Sequence, residues 1–296
     1  MTIQRTILGE MATATRLAPA LDTRGVRDIV RRALDEDIGT GDLTTGLTVT
    51  PGSRATATIV AKAAGVVAGL PVAELTFREL DPDVRWYGGV TDGDWVVPGA
   101  QLARLEGLAV AILSAERTAL NFMQRMSGIA TAAREMVRLA AGRATIIDTR
   151  KTVPGLRLLD KYAVAAGGAR NHRVGLFDGV LLKENHLRAG GGIAEAVRHC
   201  RAGVPLLTKI EVEVTNLQEL DEALAAGADV VLLDNMSPRE MREAVARTAG
   251  RALLEASGNV TLDTVPEIAA TGVDFISSGA LTHSVKALDI SLLVEL

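Results

Sequence analysis

The sequence predicts an α/β protein of two parts, a mixed α+β region followed by a smaller or partly open barrel of parallel βα units. Two observations carry this. Beyond about Ala144, six short apolar runs ("ATIID", "GVLLK", "LLTKIEVEV", "ADVVLLD", "RALLEAS" and "VDFISS") alternate with helical stretches, and strands in that rhythm are parallel because each pair needs a crossover. Before that point, helical periodicity and two-residue alternation are mixed without a fixed rhythm. The 296 residues suffice for one large domain or two ordinary ones, and 48% apolar content is ample for a core.

Each element follows from local pattern. The first twenty residues, "MTIQRTILGEMATATRLAPA", read as a loosely held leader without an apolar run of signal-peptide length. "DTRGVRDIVRRALDEDIGTGD" places Val26, Ile29, Val30, Ala33 and Leu34 at helical spacing before a glycine-rich loop. "RATATIVAK" alternates as a half-buried strand that "GVVAG" continues, "PVAELTFREL" is a helix opened by Pro71, and "QLARLEG" is another strand. "LAVAILSAERTALNFMQRMSGIATAAREMVRLAAG" reads as two helices interrupted near Ser127 and Gly128. In the barrel, "NLQE" and "SPRE" supply capping-box starts at Asn216 and Ser237, with Pro238 at the first helical position. Six units between about Ala144 and Ser277 fall short of the about 250 residues of an eight-unit barrel. The tail "KALDISLLVEL" alternates as a strand with no barrel unit left to join, so it returns to the first part. The expected domains are 22–126 with 284–296, and 127–283.

Composition excludes several classes. A net charge of -4 and a pI near 5.7 argue against a general nucleic-acid binder. No apolar run reaches the length of a membrane span, and the single cysteine, Cys200, fits a reducing cytoplasm. No P-loop, no strand-linked G-x-G-x-x-G and no zinc spacing among the four histidines is present.

Against that mild acidity, "DTRKTVPGLRLLDKYAVAAGGARNHR", Asp148 to Arg173, carries four Arg, two Lys and one His against two Asp. In parallel α/β architectures functional residues gather where strands end. Here the strand ends deliver Asp148, Arg150 and Lys151; Lys183, Glu184, Asn185 and His186; Asp234 and Asn235; Glu255, Ser257, Gly258 and Asn259; and Ser277, Ser278 and Gly279. Lys209, Glu211 and Glu213 share one strand face, and uncompensated buried charges would cost several kcal/mol each, so they meet one another, a metal or a ligand. Glu213 and Asp234 end adjacent strands and suit Mg²⁺, or else they pair with Lys209 or Lys183. Arg150, Lys151, Arg173 and Lys183 suit one highly anionic ligand, and the "SGN" and "SGA" turns suit a phosphate. Arg157 and Arg170 read as helix-end or solvent residues. Lys161 and His172 divide evenly between structural and functional readings, and pattern gives Arg117 no role.

The segments "ERTALNFMQRMSGIAT", "DTRKTVPGLRLLDKYAVAAGGARNHRVGLFDGVLLKENH", "KIEVEV", "VLLDNM", "LEASGNV" and "SSGALTHS", in this order, closely resemble the quinolinate phosphoribosyltransferases. The resemblance covers nearly everything from about Val26 to Ile290. It implies an N-terminal α/β sandwich, an incomplete α/β barrel, and a homodimer or higher assembly in which Arg117 enters the neighbouring site. It also implies that Thr149, Arg150, Lys151, His172, Arg173 and Lys183 bind substrate, and that Glu213 and Asp234 lie near ribose and Mg²⁺. Ser257, Gly258 and Asn259, with Ser278, Gly279 and Ala280, form the phosphate turns, Asn259 standing where many relatives have a second glycine. Lys151, Lys183, Glu213 and Asp234 are the implied catalytic set, with quinolinate and phosphoribosyl pyrophosphate as substrates and no nucleic-acid or membrane partner. Three rivals stand beside this: a paralogue using another acceptor, a Schiff-base aldolase using Lys183 or Lys209, and a noncatalytic anion sensor.

Overall fold

The computed structural model describes Leu21 and residues 23–295, so the expected leader lies outside the described residues. The chain divides into two compact units. One gathers the described residues up to Arg134, Thr152–Gly168 and Ser284 onward; the other holds Glu135–Lys151 and Ala169–His283. Residues 152–168 thus group with the first unit, whereas the expected division was 22–126 with 284–296 and an uninterrupted 127–283.

In the first unit, α1 (Arg24–Ile38) is capped by Thr23, whose hydroxyl accepts from Val26 N–H, and it buries Val26, Ile29, Val30 and Leu34. A short α2 (Leu43–Thr48), hidden from periodicity by its length, is capped by Asp42. Strand β1 (Arg54–Ala61) buries alternate residues, as its sequence predicts. It lies antiparallel between β5 (Gln101–Leu108) and the C-terminal β12 (Ile290–Glu295), with β3 (Arg85–Gly88) on the far side of β5. "GVVAG" does not continue β1: Gly65–Val66 form β2, which pairs with β4 (Trp95–Val96) in a separate two-stranded sheet. Pro71 opens α3 (Leu70–Leu80) as expected.

The expected helix break at Ser127 and Gly128 is absent, and α4 runs unbroken from Ala109 to Ala140. Both residues serve close packing instead. The Ser127 hydroxyl accepts from Ala68 N–H at 3.0 Å, and a Cβ on Gly128 would lie 2.2 Å from the Lys286 carbonyl oxygen. In α5 (Arg157–Ala166), buried Asp160 accepts two hydrogen bonds from Arg125 at 2.9 and 2.8 Å, and Lys161 is fully buried.

All six expected strands of the second unit are present: β6 (Thr145–Ile147), β7 (Val180–Leu182), β8 (Ile210–Val214), β9 (Val230–Asp234), β10 (Leu253–Ser257) and β11 (Phe275–Ser277). They form one parallel sheet in the order β6-β11-β10-β9-β8-β7. The first two strands in sequence are its edges. The residues near Arg170 run parallel to β6, with Arg170 N–H donating to Ile146 O and Asp148 N–H to Arg170 O, and so occupy β6's open edge. Helices α6 (Glu184–Ala189), α7 (Ile193–Gly203), α8 (Leu217–Ala225), α9 (Pro238–Thr248), α10 (Val265–Ala269) and α11 (Ala280–His283) join the strands. Ser237 and Glu240 complete a capping box for α9. Asn216 caps α8, but Glu219 turns to Thr215 N–H rather than closing the box. Lys209 is exposed and stands before β8, so it does not share the buried position of Glu211.

Candidate active site

The carboxyl ends of the six strands enclose a cavity of about 790 Å³ in the second unit. Fourteen of the fifteen residues expected to bind substrate line it: Thr149, Arg150 and Lys151 after β6, His172 and Arg173 on the edge segment, Lys183 after β7, Glu213 on β8, Asp234 on β9, Ser257, Gly258 and Asn259 after β10, and Ser278, Gly279 and Ala280 after β11. Arg117 does not line it; that side chain is exposed on α4 in the first unit.

Asp148 organises the edge. Fully buried, it accepts from Asn171 Nδ2 and from His172 N–H, both at 2.8 Å, which ties the "NHR" segment to the end of β6. Arg173 N–H donates to His172 Nδ1 at 2.7 Å. The ring's Nε2 then carries the hydrogen, which it shares with Glu211 at 2.8 Å, and Glu255 lies 3.5 Å away. His172 therefore takes neither of its divided readings alone: it lines the cavity while being held from three sides. The guanidinium of Arg173 donates to Gly179 O at 2.9 Å. Burial, and then the neighbouring charge of Arg150, lower the Arg173 pKa from its ordinary value. Cations gathered against their own repulsion in this way favour an anionic ligand.

Lys183 and Glu213 form an ion pair across the β7 and β8 ends, the alternative that the sequence left open for Glu213. Asp234, one strand further, accepts from Asn235 Nδ2 at 2.9 Å. The turns have strict shape requirements. A Cβ on Gly258, at φ +96°, would fall 2.2 Å from Asn235 Oδ1. Asn259 itself adopts φ 48°, the left-handed conformation that asparagine tolerates best after glycine, so the substitution for glycine preserves the turn. A Cβ on Gly279 would lie 2.8 Å from Lys151 Cδ, so the missing side chain makes room for that lysine. Ser278 is 3% exposed and, among the described residues, its hydroxyl finds no hydrogen-bond partner; a buried hydroxyl left so beside a cavity suits a ligand oxygen.

Sequence reasoning flagged Glu211 and Glu255 without a role. Both are buried, at 5% and 2% exposure. With His172 they form, among the described residues, a group whose ligand atoms lie within 4.8 Å of one another and could hold a metal. The spacing within β8 could have signalled Glu211, but its meeting with Glu255 depends on strand order. His186 and His283 also line the cavity.

Comparison with known proteins agrees with this geometry. The family descriptions "Quinolinate phosphoribosyl transferase, N-terminal domain" and "Quinolinate phosphoribosyl transferase, C-terminal domain" match residues 42–127 and 129–293. A Bacillus subtilis (strain 168) protein named probable nicotinate-nucleotide pyrophosphorylase (carboxylating) is 48% identical over 262 residues, covering 88% of this chain and 90% of its own length. A chloroplastic nicotinate-nucleotide pyrophosphorylase (carboxylating) of Oryza sativa subsp. japonica is 45% identical, covering 94% of this chain and 80% of its own. The solved nicotinate-nucleotide pyrophosphorylase of Francisella tularensis superposes with a TM-score of 0.87 at 43% identity, covering 92% of this chain and 96% of that one.

Proposed function

The chain belongs to the quinolinate phosphoribosyltransferase family, and from that premise we propose how its cavity works. It transfers the phosphoribosyl group of phosphoribosyl pyrophosphate to quinolinate with loss of CO₂, giving nicotinate mononucleotide and pyrophosphate in NAD biosynthesis. The observation that carries the assignment of residues is the convergence of Arg150, Lys151, Arg173 and Lys183 on one cavity that also presents Glu213 and Asp234.

Quinolinate carries two carboxylates. Arg150, Arg173 and Lys151 hold them and turn the ring nitrogen toward the anomeric carbon of the sugar, which replaces a rare encounter with a near-attack arrangement. His172 braces Arg173 from behind through the backbone N–H bond to Nδ1. The turns at Ser257–Asn259 and Ser278–Ala280 seat phosphate. As the pyrophosphate bond breaks, positive charge grows on the ribose, and Glu213 and Asp234 face it. Lys183 moves between Glu213 and the departing pyrophosphate. Glu213 and Asp234 also suit Mg²⁺ by the chemistry of their donor set, hard carboxylate oxygens on neighbouring strands opening into a cavity. Mg²⁺ bound there with the substrate's phosphates would supply neutralisation of the leaving group's charge.

Arg117 completes the site of a second copy of the chain. Its exposure on α4 and its place in the "ERTALN" motif support this. A cytoplasmic location fits the single, unpaired Cys200, and among the described residues no helix is long and apolar enough to cross a membrane; recovery of the protein from an oxidising compartment would overturn it.

The test is CO₂ release from carboxyl-labelled quinolinate by the purified protein. Release should require both phosphoribosyl pyrophosphate and Mg²⁺ and should cease with a chelator. Release without the sugar phosphate would overturn the coupled reaction, and full activity in chelator would remove Mg²⁺ from the site.

A further inference from the structure

The reaction consumes a proton that the roles above do not provide, since the ring carbon that loses its carboxylate must gain a hydrogen. Arginines hold their protons at any working pH, Lys151 is engaged with the substrate carboxylates, and Lys183 serves Glu213 and the departing pyrophosphate. Of the titratable cavity-lining groups that the mechanism leaves unused, His186 and His283 are exposed, and Glu255 is the buried one. Glu255 stands on β10, lines the cavity and is 2% exposed.

Its surroundings define its chemistry. Glu211 approaches from β8, the His172 Nε2 from the edge segment at 3.5 Å, Lys183 acts from beyond β7, and Ser277 flanks it from β11. His172 gives its one N–H to Glu211 at 2.8 Å, a hydrogen-bond distance that a shared hydrogen already accounts for without a metal. Two carboxyl groups buried around one imidazole cannot both be charged cheaply. We propose that Glu255 is the proton donor of the decarboxylation step, held neutral at the cavity floor by the His172–Glu211 pair. Burial, first, and then the charge of Glu211 push the Glu255 carboxyl well above its usual range.

The step balances. The ring nitrogen's lone pair forms the bond to the anomeric carbon while the bond to pyrophosphate breaks and its electron pair leaves with the pyrophosphate. The bond to the adjacent carboxylate then breaks, CO₂ departs without the pair, and the pair stays on the ring carbon beside the cationic nitrogen. That carbon takes the Glu255 proton, and the resulting carboxylate regains one from water before the next turnover. This rests on the decarboxylating transfer described above.

The experiment compares the full-length enzyme with Glu255→Gln and Glu255→Asp in CO₂ release and nicotinate mononucleotide formation across about pH 6 to 10. Glutamine copies the size and neutrality of the protonated acid but has no proton to give. Glu255→Gln should lose about a hundredfold or more in kcat with both KM values within about threefold. Glu255→Asp should retain part of kcat and move the alkaline limb of its pH profile. A raised folded-state pKa means that stability falls as pH rises from the unfolded value, about 4.3, through the folded one, so the Gln variant should melt at or above the parent at pH 8. A Gln variant with near-parental kcat overturns the proposal, as does a Gln loss that falls wholly on quinolinate KM. If the Gln variant fails to fold, an unmoved alkaline limb in Glu255→Asp overturns it. No release by the unaltered enzyme would sink the reaction itself, and this inference with it; equal release by parent and Gln variant sinks the inference alone.

Discussion

Arg150 illustrates how much one side chain can be asked to do. It stands at the end of β6, charges the cavity and, after burial, adds to the lowering of the Arg173 pKa. Arg150→Ala removes a bidentate partner for carboxylate, so quinolinate KM should rise or kcat fall by at least about tenfold, the factor that corresponds to about 1.4 kcal/mol. Steady-state kinetics check it, and near-parental values would strike Arg150 from the site. At this scale the sequence was legible wherever a motif names a residue, and the cation cluster and both turns were found that way. Glu255 was visible only as a polar strand end, because nothing in its neighbours along the chain reports that Glu211, forty-odd residues earlier, shares its pocket. Asn259 was read as a departure; its φ of 48° shows that the departure is tolerated.

Elements were read well where their periodicity is local and long. The strands β6 to β11 and helix α9, with its capping box, are elements of three to eleven residues whose rhythm repeats along the chain. Short α2 and the strands β3 and β4 were missed because a few residues carry no period. The misread break in α4 has the clearest cause: Ser and Gly weaken a helix by propensity, but here they admit the Ala68 and Lys286 backbones. Gly128→Ala therefore opposes two effects. Helix propensity favours alanine by about 1 kcal/mol, whereas a Cβ placed 2.2 Å from a carbonyl oxygen forces a backbone shift of the kind that costs about 1–3 kcal/mol. The clash should win, lowering the denaturation midpoint; a stabilised variant would mean that the 284–288 segment yields easily.

For the whole molecule, the proposed sharing of Arg117 predicts complementation. Mixed Arg117→Ala and Lys183→Ala chains, each inactive alone, should recover about a quarter of parental activity, from one competent site in each randomly formed heterodimer. No recovery after verified subunit exchange would place Arg117 elsewhere. By itself, the sequence determined the α/β class, the six parallel strands, the returning C-terminal strand and the family, since periodicity and motifs are written in consecutive residues. Tertiary structure alone decided that α4 is unbroken, that 152–168 packs with the first unit, and that β6 pairs with β11 while Arg170 takes its free edge. It alone brought His172, Glu211 and Glu255 together. The physical reason is that a charge's energy depends on what lies within a few ångströms of it, and strand order, not sequence distance, sets that neighbourhood.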